Sequence, residues 1–111
     1  MDSRLPDPFG RIGQWLAKAE LLVSTNDVPT IMDDEAARIL NTKIENHKAF
    51  FAELPSVQDE FTSALSSPIV HEIPSDQLES MANRLSAMGP LATQRAVKLK
   101  FLEHKVRMKL C

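Results

Sequence analysis

The stretch from Asp33 to Leu65, DDEAARILNTKIENHKAFFAELPSVQDEFTSAL, decides the fold. Steps of three and four residues from Ala37 land on Leu40, Ile44, His47, Phe51, Leu54, Gln58, Phe61 and Leu65, and all but His47 and Gln58 are apolar. That is the heptad seam of a helix packed along its length against other helices. Arg38, Lys43, Glu45, Lys48, Glu53, Asp59 and Glu60 fall between the seam positions and form a solvated face. Asp33, Asp34 and Glu35 open the stretch, where carboxylates cap free amides and suit the positive end of the helix dipole. Pro55 follows Leu54 and removes one backbone donor, which predicts a kink in a continuing helix.

The same period extends to either side. Downstream, Ser75 is a candidate N-cap, and the seam runs through Leu78, Met81, Leu85, Met88, Ala92, Leu99, Leu102 and Val106. Arg95 occupies the inward slot between Ala92 and Leu99, so the register is expected to slide toward Ala96. Gly89-Pro90 predicts a second kink. Upstream, Phe9, Ile12, Trp15, Leu16, Ala19, Leu22 and Val23 make one apolar stripe, with Trp15 in the core. Proline-containing segments at Ser24–Ile31 and Ser66–Ser75 separate the stretches. The prediction is an all-α, elongated up-down-up bundle of three helices at about 8–23, 33–65 and 75–110, forming a single unit over 8–111. Residues 1–7 (MDSRLPD) are short, polar and proline-containing, and read as a disordered edge. Its predicted structural core is Trp15, Leu16, Leu40, Ile44, His47, Phe51, Leu54, Phe61, Leu78, Leu85, Leu99 and Leu102.

Composition narrows the function. With 43% hydrophobic residues, 25% charged residues and a net charge of −2, the chain lacks the basic surplus that marks nucleic-acid binding. No apolar run has the length of a membrane span, and no secretory leader is expected from this stretch. The single cysteine, Cys111, cannot form a disulfide within the domain and has no fixed base to make it a nucleophile. His47, His71 and His104 show neither the i,i+4 pairing nor the Cys/His clustering of a zinc site, and His47 reads as a packed core histidine. No nucleophile elbow or phosphate-cradling glycine loop occurs. The chain is therefore expected to have no catalytic, metal or cofactor site. The basic tail at Arg95, Lys98, Lys100, Lys105, Arg107 and Lys109 is expected to complement Asp33, Asp34 and Glu35 at the same end of the bundle, the alternative being contact with an acidic partner or a lipid surface.

Three segments resemble the spectrin-repeat family. Gln14-Trp15-Leu16-Ala17-Lys18-Ala19-Glu20 is similar to its first-helix signature, and His47-Lys48-Ala49-Phe50-Phe51-Ala52-Glu53-Leu54 to its second-helix pattern. Ser75-Asp76-Gln77-Leu78, followed by Leu85, looks like the opening of its third helix. The resemblance covers nearly the whole chain, but Gly89-Pro90 stands near the place where the family often has a second tryptophan. The texture is most similar to repeats of giant cytoskeletal linkers of the nesprin type, with dystrophin-like and plakin repeats as competing assignments. The resemblance implies a non-catalytic rod-like spacer and docking scaffold in the cytoplasm, monomeric in isolation and flanked by neighbouring spectrin repeats. For a nesprin it further implies links to actin-cytoskeleton proteins, a formin among them, at the cytoplasmic face of the outer nuclear membrane. The alternative is a dedicated domain recognising one actin regulator such as a formin. Antiparallel pairing of the second and third helices would put Pro55 roughly opposite Ser86, so Pro55, Gly89 and Pro90 are the candidate bend and docking level, with Gly89 allowing close approach.

Overall fold

The computed structural model of the chain describes residues 5–110. All of their regular structure is helical: α1 (Phe9–Val23), α2 (Asp34–Phe51), α3 (Leu54–Leu65) and α4 (Ser75–Leu110), with a short 3-10 turn at Pro68–Glu72. These elements form three arms, α1, α2 with α3, and α4. The molecule measures 59 × 22 × 17 Å, a rod about as long as its longest helix. No helix among the described residues is long and apolar enough to cross a membrane.

Each helix end has a local cause. The chain folds back before α1, where the Gly10 amide donates to the Pro6 carbonyl and Leu5 packs on the core. A Cβ at Gly10 would overlap the Leu5 carbonyl oxygen, so only glycine admits that approach. Residues 5–7 are therefore tied to the bundle, contrary to the expected disordered edge, while residues 1–4 of that edge and Cys111 lie outside the described residues. At the other end of α1, the Ser24 and Thr25 hydroxyls both donate to the Leu21 carbonyl and turn the chain out of the helix. Asp33 caps α2 by accepting from the Ala36 amide at 2.9 Å.

The middle arm departs from the expected kinked but continuous helix. It stops at Phe51 and restarts at Leu54, with Pro55 in the first turn of α3. Pro55 has no amide to donate to the Phe51 carbonyl, so the hydrogen-bond ladder breaks there. Ala52 and Glu53 nevertheless keep right-handed helical dihedrals, and the arm runs on. Pro90, by contrast, sits inside α4 without ending it. Pro90 and Ser86, whose carbonyl loses the amide partner, are both exposed, so water can serve that carbonyl. Gly89 does not mediate the expected close approach: nothing lies within 4 Å of where its Cβ would be.

Two cores share the inner face of α4. The larger joins α1, α3 and the first half of α4 through residues such as Phe9, Ile12, Leu16, Phe61, Leu85 and Met88, with Ile73 closing one end. Phe9 meets Phe61 edge-on at 6.0 Å between ring centres. The smaller joins α2 to the second half of α4 through Ala36, Leu40, Leu99, Leu102 and Val106. Of the predicted core, Leu16, Leu40, His47, Phe61, Leu85, Leu99 and Leu102 are buried, and Trp15, Ile44, Phe51, Leu54 and Leu78 are half-buried.

Candidate functional site

Between the two cores lies a buried polar knot, built on the segment that leaves α1. Asn26 turns that segment by accepting from the Val28 amide, and Asp27 points inward, only 2% exposed. Arg95, on the inner face of α4 and 7% exposed, grips it with two parallel bonds: Nε donates to Oδ2 at 3.0 Å and Nη2 to Oδ1 at 3.1 Å. Lys43 of α2 donates from Nζ to Oδ1 at 3.3 Å, its side chain a third exposed.

His47 extends the knot. The third guanidinium nitrogen, Arg95 Nη1, donates to His47 Nδ1 at 3.0 Å, and His47 Nε2 donates to the Ala92 carbonyl at 2.9 Å. Arginine only donates and a carbonyl only accepts, so this geometry assigns a neutral imidazole with its proton on Nε2. Burial holds the His47 pKa below its ordinary value, and the neighbouring Arg95 charge adds to this against the Ala92 bond and the Asp27 charge. Burial alone would raise the Asp27 pKa, but the hydrogen bonds and charges of Arg95 and Lys43 overcome it and hold the carboxyl below its usual value.

Arg95 therefore stays in the seam, and the expected slide toward Ala96 does not occur, because Asp27 and His47 satisfy the guanidinium there. The knot clamps the α1–α2 segment onto both α2 and α4. Among the described residues no group of His, Cys, Asp or Glu is placed to hold a metal ion.

The other face of His47 meets an aromatic cluster, with its ring 4.6 Å from that of Phe51. Trp15 stacks flat on Phe50 at 5.1 Å and meets Phe51 edge-on at 6.0 Å. Trp15, expected in the core, is half-buried, packing against the larger core and against Phe50 and Phe51 at the end of α2. Its Nε1 is buried and has no hydrogen-bond partner among the described residues.

Charge is placed differently from the expectation. Asp33 is used as a cap, Glu35 pairs with Arg38, and Arg107 pairs with Glu103 at 3.5 Å, so these charges are engaged within or at the start of their own helices. Among the described residues, two inter-arm pairs lie in the other half: Arg84 grips Glu20 through two bonds of 3.0 and 2.7 Å, and Arg11 meets Glu60. Pro55 and Pro90 are exposed.

Periodicity singled out Arg95 and His47 but missed Asp27, which lies in an irregular segment. A lone cation on an apolar seam was the available signal, since a buried charge demands a partner.

No protein-family model and no solved structure match the chain. Its sequence is similar to that of the Drosophila melanogaster protein named muscle-specific protein 300 kDa, with 48% identity over 105 residues. The match takes in 95% of this chain and 1% of that protein, so the chain spans about a hundredth of its relative's length.

Proposed function

We propose that this chain is one spectrin-type repeat, a non-catalytic, rod-like spacer and protein-docking scaffold within a cytoskeletal linker. The carrying observation is the shape, 59 Å long and 17–22 Å across, with a 36-residue helix running its length. The order of contacts supports an up-down-up course. Arg11 reaches Glu60 and Trp15 reaches Phe50, so numbers rise along α1 as they fall along the middle arm. His47 meets Arg95 while Leu40 shares a core with Leu99 and Leu102, the same reversal against α4. Similarity to a muscle-specific protein about a hundred times longer supports a structural, cytoskeletal role for one unit of an array.

The finer reading is a nesprin-type linker joining the actin cytoskeleton to the nuclear envelope. Its test is imaging of the parent protein in muscle cells, with nuclear-envelope and actin markers; a parent found away from both overturns the assignment. The spacer role is tested by small-angle scattering on a parent fragment carrying this segment and its neighbours. The longest dimension should grow by roughly 59 Å per repeat, and a compact globular particle would refute the rod. A dedicated docking domain for one actin regulator, such as a formin, is the second reading, favoured by the large apolar side chains left exposed on α4.

A further inference from the structure

The second half of α4 has two seams. Leu99, Leu102 and Val106 face inward. On the opposite side, Val97, Phe101, His104 and Met108 follow one another at steps of four, three and four, and all four are exposed. Val97, Phe101 and Met108 are 65%, 62% and 66% exposed, although each is large and apolar. In heptad terms Val97 and His104 are d positions and Phe101 and Met108 are a positions. The flanking e and g positions are then Lys98, Lys100, Lys105 and Arg107, every one a cation; Arg107 pairs with Glu103 at 3.5 Å, and Glu45 of α2 lines a shared cavity with Lys100.

We propose that this outward seam is a docking site for a single amphipathic helix whose own seam is flanked by acidic residues. The seam geometry carries the kind of partner. At about 100° per residue the four side chains fall within an arc of roughly 60°, the narrow stripe of a coiled-coil contact. A helix lying on a lipid surface presents a much broader apolar face. Charge carries the partner's chemistry. Cations at every flanking position repel a second copy of this helix in either orientation, whereas glutamates facing them attract. His104 at a d position adds a polar contact of the kind that fixes register.

This deepens the scaffold reading by giving the chemistry of what docks, and it rests on that reading. Scattering measures length and the following measures binding, so either can fail without the other.

Two labelled peptides of about 21 residues, three heptads each, carry Leu at a and d with either Glu or Lys at e and g. Like charges at their own flanks keep both peptides from self-pairing. Fluorescence anisotropy against the whole 111-residue chain should show binding of the Glu peptide, weakening with salt, and none of the Lys peptide. Phe101→Glu should weaken the Glu peptide at least about tenfold. Replacing Lys98, Lys100, Lys105 and Arg107 together by Glu should transfer binding to the Lys peptide. All the substituted side chains are exposed, and unchanged circular dichroism confirms that each variant is folded. Equal affinity of the Glu peptide for parent and Phe101→Glu overturns the proposal. So does absence of binding, or uptake of the chain by phosphatidylserine vesicles without peptide binding.

Discussion

The two halves of the rod are built on one helix but closed in different ways. In the first half α4 is packed by α1 and α3, and the core includes Phe9, Leu16, Phe61 and Met88. In the second half α1 has ended, α2 alone packs on α4, and the core reduces to Ala36, Leu40, Leu99, Leu102 and Val106. The third arm is replaced there by irregular chain. From Asp27, beside Lys43, that chain runs back to the Asp33 cap, and Met32 packs on the smaller core. The seam of a long helix therefore does not dictate how many partners cover it. The length of the neighbouring helix does, and a buried ion pair marks where the cover changes.

The largest expected effect comes from breaking that boundary. Arg95→Ala leaves the Asp27 carboxylate buried without its bidentate partner and should lower unfolding free energy by about 3–5 kcal/mol in denaturant titration. Replacing both together, Asp27→Val with Arg95→Leu, should restore most of the loss. A double variant as unstable as the single one would mean that the boundary needs the charges themselves.

Truncations within the two cores compare the halves directly. Leu16→Ala should cost about 3–5 kcal/mol and Leu102→Ala about 2–3, because the two-helix half can collapse more readily around a cavity. Hydrogen exchange should agree, with amides of α2 near Leu40 opening before those of α1 near Leu16. Equal protection would show that the knot makes the two halves one cooperative unit.

Acidification should act on the boundary more gently. His47 is held below its ordinary value of 6.5, so the unfolded chain takes up a proton before the folded chain does. Stability is then full above about pH 6.5 and declines as the pH falls below it. Asp27 adds a second loss below its ordinary value of 3.8, as its carboxylate is protonated. His47→Gln should flatten the first decline and leave the second.

The smallest effect is expected at Trp15→Phe, which keeps an aromatic ring against Phe50 and Phe51 and removes a buried indole donor without a partner. The change should lie within about 1 kcal/mol of zero, since lost area and relieved desolvation oppose one another.

Much of this was legible in the heptads. Steps of three and four found the inner face of α4 from Met81 to Val106 and the α2 residues Leu40 and His47, because burial on one helical face repeats with the helix. The arm count followed from the proline-bearing segments between the periodic stretches. Three things did not follow. A carboxylate in an irregular segment leaves no periodic trace, so Asp27 was invisible and Arg95 looked like a fault in register. The acids at Asp33–Glu35 pointed toward the basic tail by composition, but a local cap and an i,i+3 partner engage Asp33 and Glu35 first. The outward seam leaves no separate trace in the sequence, because the inward one on the same helix already accounts for the period.

The irregular segment between α1 and α2 also bears on how the rod would survive being cut. Exposed Thr25, Asn26, Val28, Thr30 and Ile31 make it a natural site for a protease, while the helices on either side resist. A nick before Ile31 would leave Asp27 on the shorter fragment, still held by Arg95 across the break. The two pieces should then migrate together on a sizing column and part only in denaturant, so a severed molecule would keep its outline.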